Sequence, residues 1–442
     1  MTVRVIEADL TWTGARFEPG IRIAIDESGR IASAGRLEGA AGERLGRRAL
    51  LPGFVNAHSH GFQRALRGRG ERFPRGAGSF WTWREAMYEL VASLDVEAAR
   101  RAYVQAFSEM RDAGITTVAE FHYLHHVGEG PDYGFDRVVL EAARAVGIRL
   151  ALLNVFYSTG GIGRGLDGTQ RRFRSEGLAG YWAQLGRLEG MLDRGLQSLG
   201  VVAHSIRAVP LADIAALHAE AAQRRLPFHM HVEEQPGEIE ESLAAYGRRP
   251  MAALLDALTT AGNFTAVHCT HTDPADMGRF LAAGGTVCLC PLTEANLGDG
   301  LPALDQIHGA GRLSLGTDSN ARIGFVEEMR WLEYGQRLRL GRRGILANGG
   351  GQVAARVLEA ATLGGARAVG VDAGKIEAGC WADLVAIDLD APSLAGVDPE
   401  HLLDAVVFGA EESVLWGTAV GGAWRRRGDS PVSGPVATGG RA

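Results

Sequence analysis

Eight short apolar runs recur between residues 51 and 318, and helical stretches separate them. They are "LPGFVN", "ITTVAEF", "RLALLNVFY", "GVVAHSI", "PFHMHV", "FTAVHC", "TVCLC" and "RLSLGTD". Stretches such as "VEAARRAYVQAFSEMRDAG" and "LADIAALHAEAAQRR" space their apolar residues three and four apart, the period of a helix. Strands apolar at nearly every position are buried on both faces. Alternating with helices, they build a parallel sheet. Eight of them fit a TIM-like (β/α)8 barrel over residues 53–371.

The chain ends read differently. "VRVIEADLTWTG" and "IRIAIDESGRIASAG" are short strands punctuated by turn residues, with a β-hairpin around "DESG". "GKIEAGCWADLVAIDLD" and "AVVFGAEESVLWGTAVGGAWRRRG" share that style. Residues 1–52 and 372–428 are therefore expected to form one small composite β-sandwich domain around the inserted barrel. The Gly/Pro/Ser-rich tail 429–442 is expected to be disordered. A net charge of −6 gives no reason to expect a nucleic-acid or membrane-surface binder. The apolar runs are too short to span a bilayer, and the N-terminus lacks a secretory core. Four scattered cysteines point to a reducing, cytoplasmic setting.

In such barrels chemistry sits at the C-terminal ends of the strands. Those ends carry His58 and His60 on strand 1, "EFHYLHH" on strand 2, and His204 with Arg207 on strand 4. They carry His231 with Glu234 on strand 5, His268 on strand 6 and Asp318 on strand 8. Positions i and i+2 of a strand share a side, so His58 and His60 can face one object. Imidazole and carboxylate suit zinc. His58, His60, His231 and Asp318 would supply four ligands, with water entering as a fifth or Asp318 binding weakly. The pair Cys288 and Cys290 reads as the buried run of strand 7. His229, one layer below His231, reads as structural. His122, His125 and His126 are given a structural or rim role, Glu233 reads as a solvated loop charge, and His271 as a loop residue.

"PGFVNAHSH", "HVEE", "VHCTH", "GTDSN" and "GCWADLVAIDLD" together resemble the amidohydrolase superfamily over nearly the whole chain. "HSHGFQRALRG", "SFWTWREAMYEL", "EFHYLHH", "AHSIRAV" and "CPLTEANLGDG" resemble, more particularly, its formimidoylglutamate deiminases. That resemblance implies hydrolysis of N-formimino-L-glutamate to N-formyl-L-glutamate and ammonia, with one zinc-type ion per chain and a homodimer. It implies His58, His60, His231 and Asp318 as metal ligands and Glu234 and His268 as the catalytic pair, Asp318 also accepting a proton. It implies Gln63, Arg84, Tyr123, His204 and Arg207 as the pocket for a small dicarboxylate. The sequence departs from the family pattern at Leu292, where threonine is expected.

One count bears on metal number. Lys375 is the single lysine among 46 basic residues, and it lies outside the barrel. Two-metal relatives bridge their ions with a carbamylated lysine on strand 4, so this sequence favours a mononuclear site. Two other readings stay open: a zinc deaminase of a heterocycle such as guanine or an adenosine derivative, and a non-catalytic scaffold. Arginines facing a dicarboxylate would separate the first from a stacking pocket; damaged ligands would mark the second.

Overall fold

The computed structural model describes residues 4–39, 42–73, 78–128, 130–304 and 312–429. Of the tail expected to be disordered, residues 430–442 lie outside the described residues.

The first five strands come from the N-terminal end: β1 (Arg4–Trp12), β2 (Phe17–Glu18), β3 (Arg22–Ile25), β4 (Ile31–Gly35) and β5 (Glu43–Pro52). The hairpin falls where "DESG" placed it. Asp26 Oδ1 accepts from the Ser28 and Arg30 amides at 2.9 and 3.0 Å, and Gly29 takes the left-handed φ of +84° that the turn needs.

Eight strands follow: β6 (Phe54–Ser59), β7 (Ile115–His122), β8 (Arg149–Phe156), β9 (Gln197–Ala203), β10 (Phe228–Val232), β11 (Phe264–His268), β12 (Thr286–Leu289) and β13 (Leu313–Leu315). They pair in parallel and in chain order. The ring is drawn shut by a bridge between Ser59 and Asp318, where the His60 amide donates to the Asp318 carbonyl at 2.8 Å. β6, β7 and β8 are buried at every position, which is why their sequences show no alternation.

The C-terminal end returns as β14 (Leu384–Asp388), β15 (Leu415–Val420) and β16 (Ala423–Arg426). These join the N-terminal strands in one mixed sheet ordered β16-β15-β14-β5-β1-β3-β4, with β2 on β1. Ile31 of β4 and Ala419 of β15 share one core with Ile6, Leu50 and Leu384, so the sheet curls over on itself. Its joint with the barrel is close. A Cβ on Gly53, between β5 and β6, would meet Thr116 Oγ1 at 2.1 Å, so only glycine fits. Arg149, at the start of β8, forks onto Asp383 at 2.8 and 3.1 Å and lies 3.9 Å from the Trp381 ring. The joint thus lies at the strands' N-terminal ends and leaves the opposite rim for chemistry.

Candidate active site

Four side chains converge at that opposite rim. His58 lies near the end of β6, His60 follows it, His231 lies in β10, and Asp318 follows β13. Each offers one donor atom within 4.8 Å of the others, and all four residues are buried. Asp318 Oδ1 stands 3.3 Å from both His58 Nε2 and His60 Nε2, and His231 Nε2 stands 3.2 Å from His58 Nε2. The outer nitrogens fix the rings. His60 Nδ1 donates to the Phe121 carbonyl at 3.0 Å, and His231 Nδ1 donates to the His204 carbonyl at 3.1 Å. A proton on Nδ1 leaves the Nε2 lone pair facing the cluster, the arrangement of a metal-binding imidazole. Burial pushes His58 down, His60 down to about 3 and His231 well below the ordinary histidine value, so these rings are neutral. Converging lone pairs beside a carboxylate are mutually repulsive until a cation sits among them. The donor set fits a divalent ion of zinc type.

The backbone around the cluster is strained. His268, Asp318 and Asn320 hold left-handed φ values of +72°, +45° and +55°. A buried amide network holds that geometry: Asn56 Nδ2 donates to Thr317 Oγ1 at 2.7 Å, and Asn320 Nδ2 donates to Ser59 Oγ at 3.1 Å.

His268 ends β11 and faces the cluster from the side. Its Nδ1 donates to Glu294 Oε1 at 3.3 Å; its Nε2 lies 3.8 Å from both Asp318 Oδ2 and Glu234 Oε1. Burial pushes this imidazole down, but Glu234, Glu294 and Asp318 outweigh it and hold the ring well above the usual range. Burial raises the Glu234 carboxyl, against the pull of His268 and Arg207. Burial also raises Asp318, but its contacts with His58, His268 and His60 more than reverse this and leave it ionised far down the scale. Sequence reasoning missed Glu294. It sits in the first turn of the helix Pro291–Leu297, accepts from the Cys290 amide at 3.0 Å, and aims His268. Its signal was the acid in "CPLTEANLG".

A pocket of about 780 Å³, counting its open mouth, rises from the cluster. Gln63, Arg84, Tyr123, His204 and Arg207 all line it. Gln63 Nε2 donates to Tyr123 OH at 2.7 Å, and His204 packs against Tyr157 with centroids 4.8 Å apart. The Arg207 side chain is 12% exposed and reaches Glu234 Oε2 at 3.6 Å. Arg84 Nε donates to Tyr88 OH at 2.7 Å, from the helix Phe80–Ser93 that carries "FWTWREAMYEL". Tyr157, Trp83 and Arg164 also line the pocket and were not singled out in the sequence.

Other candidates fall outside. His122 Nε2 and His125 Nδ1 both donate to Asp136 Oδ1, at 2.9 and 2.8 Å, and Gln184 bonds its other oxygen. The second nitrogen of His125 meets the Val155 carbonyl at 2.8 Å; that of His122 meets Tyr103 OH at 3.2 Å. His126 is bonded through Nε2 to the Arg174 carbonyl and through Nδ1 to the Tyr133 amide. This cluster is a satisfied structural network. His229 Nε2 donates to the Ala368 carbonyl at 2.7 Å, deeper in the barrel. Cys288 and Cys290 are buried free thiols. Glu233 is a correction: it is fully buried rather than solvated. A turn with φ of +52° folds it inward, where Oε1 accepts from the Met251 amide at 3.3 Å.

A model of the amidohydrolase family matches residues 49–424. Over 412 residues the chain is 40% identical to a formimidoylglutamate deiminase of Pseudomonas aeruginosa, covering 91% of this chain and 90% of that one. It is 30% identical over 410 residues to a 5-methylthioadenosine/S-adenosylhomocysteine deaminase of Natronomonas pharaonis, covering 90% and 86%. The crystal structure of an amidohydrolase from Brucella melitensis superposes with a TM-score of 0.86 at 33% identity, covering 95% and 94%. That of an adenosine deaminase from Xanthomonas campestris with bound zinc superposes with a TM-score of 0.79 at 26% identity, covering 96% and 93%.

Proposed function

This chain belongs to the amidohydrolase family, and from that premise we propose that it hydrolyses N-formimino-L-glutamate to N-formyl-L-glutamate and ammonia, using one divalent ion per chain. It is a metal-dependent hydrolase of a C–N bond. The observation that carries the substrate is Arg207, which lines the same pocket as His60, His231 and Asp318 and stands 3.6 Å from Glu234. A planar fork there suits a carboxylate, and the substrate has two. Arg84, on the pocket's aromatic helix, is assigned to the other end of the dicarboxylate. One ion per chain is supported by the lysine count. Lys375 lies between β13 and β14, paired with Glu377, and β9 runs into His204 where a bridging lysine would stand.

His58, His60, His231 and Asp318 would hold the ion. When bound, it supplies Lewis acidity and lowers the pKa of a water it holds to about 7. Asp318, kept ionised, accepts a proton from the attacking water. The water oxygen bonds to the formimino carbon, and the amidine becomes a tetrahedral adduct. His268, kept cationic beside Asp318 and Glu294, orients the oxygen and stabilises the charge that develops there. Glu234, with its carboxyl raised by burial, delivers a proton to the terminal nitrogen. The bond from carbon to that nitrogen breaks as the adduct's hydroxyl proton passes back to Glu234, ammonia leaves and takes up the proton held by Asp318, and the formyl group stays on the glutamate nitrogen. The helix Phe80–Ser93 contributes Phe80, Trp83 and Tyr88 to the pocket wall.

The test is a double comparison. A buried carboxylate left without its arginine costs roughly 2–5 kcal/mol, about thirty- to several-thousand-fold. Arg207→Met should lower kcat/KM for formiminoglutamate by at least the lower figure with metal retained, and Arg207→Lys should restore only part. Removing the carboxylate that Arg207 reads should hurt the native enzyme comparably and the Arg207→Met variant far less. Independent, additive losses would show that Arg207 reads no carboxylate and would favour a heterocycle.

A further inference from the structure

Arg207 is gripped from behind as well as in front. Glu238, the third residue of the helix Pro236–Tyr246, is fully buried and is not part of the pocket wall. One of its oxygens, Oε1, accepts from the Glu233 amide at 3.1 Å, closing the left-handed turn that leads from β10 to Glu234. The other, Oε2, has no hydrogen-bond partner and lies 3.4 Å from Arg207 Nε, itself a buried donor without a partner. The carboxylate therefore spans the two groups that matter most above the cluster. It fixes the turn carrying Glu234 and faces the inner edge of the guanidinium that lines the pocket.

A helix cap alone does not explain this. Capping the Glu233 amide needs only a neutral acceptor, whereas burying a carboxylate is costly unless a cation faces it. Arg207 is that cation. With its Nε side held by Glu238, the planar fork keeps its terminal nitrogens toward the pocket and Glu234, where a substrate carboxylate would arrive. We infer that Glu238 is a positioning residue for substrate selection. It preorganises Arg207 for the carboxylate and, through the Glu233 backbone, sets where Glu234 stands. This rests on the reading of Arg207 given above.

Glu238→Gln separates the two duties. The amide oxygen can still accept from the Glu233 N–H, but the amide nitrogen presents a donor to a donor. The full-length enzyme with its metal is assayed on formiminoglutamate and on two monocarboxylates, formimino-4-aminobutyrate and formimino-2-aminobutyrate. KM for formiminoglutamate should rise about tenfold or more, with kcat within about twofold and metal content and Tm near wild type. The analogue lacking the carboxylate read by Arg207 should show no rise. In an Arg207→Met background the same change should have no further effect. If Arg207→Met damages turnover but Glu238→Gln changes nothing, or changes all three substrates equally, this inference fails alone. If Arg207→Met is itself silent, both it and the reading of Arg207 fail. Should Glu238→Gln not fold, Glu238→Asp takes its place. That variant keeps the charge at shorter reach, and a KM rise not confined to substrates bearing the Arg207 carboxylate would overturn the proposal.

Discussion

Asp318, His268 and Glu234 share one buried corner yet are driven to different charge states, which is how neighbouring groups come to divide acid and base work. Glu234→Gln or His268→Asn should leave one ion per chain, read by elemental analysis, while kcat falls by ~10² or more. His58→Ala or His231→Ala should lose the ion. Glu234 and His268 variants that kept most activity would contradict the assigned roles. The histidines were legible in sequence because polar residues stand out at the ends of apolar strands. Glu294 was not. An acid in a helix's first turn already has a default use as a cap, and only its 3.3 Å approach to His268 reveals the other. Glu233 was misread because adjacency to Glu234 says nothing of a turn that sends the two side chains to different places.

At the scale of elements, the end of β7 and the helix Gly134–Val146 are tied by Asp136, which holds His122, His125 and Gln184 together. Asp136→Asn replaces an acceptor by a donor facing donors and should destabilise the fold by on the order of 3 kcal/mol. Burial pushes His125 down, but the Asp136 charge more than reverses it, so the folded value is raised. Its contribution is complete below the unfolded value of ~6.5 and is lost as pH rises through the folded one. Burial pushes Asp136 up, but His125 and His122 more than reverse it, so the folded value is depressed. Its contribution is complete above the unfolded value of ~3.9 and is lost as pH falls through the folded one. Denaturant titrations should therefore find the variant's penalty largest between about pH 4 and 6.5. A penalty flat across pH would mean that the cluster is held by packing rather than by charge. The strands were legible because burial on both faces writes itself as unbroken apolar runs. The loop carrying Arg164, after β8, has no periodicity to read, so its share of the pocket wall stayed hidden.

Across the whole molecule, the barrel's two ends are divided between duties. Arg149 and Asp383 lock the chain-end sheet against the N-terminal rim, and the C-terminal rim gathers the histidines, Asp318 and the arginine-bearing pocket. The composite sheet was legible because both chain ends share a turn-rich strand style. The ion pair at the joint was not, because Arg149 and Asp383 are 234 residues apart. On the proposed reading, this rim hydrolyses the formimino group of a dicarboxylate. That activity is tested most directly by measuring ammonia release, at fixed ionic strength, from formiminoglutamate, formiminoaspartate, guanine, adenosine and cytosine. kcat/KM should be highest for formiminoglutamate, with formylglutamate appearing one for one with ammonia. A higher kcat/KM on any of the heterocycles, or ammonia without formylglutamate, would contradict that reading.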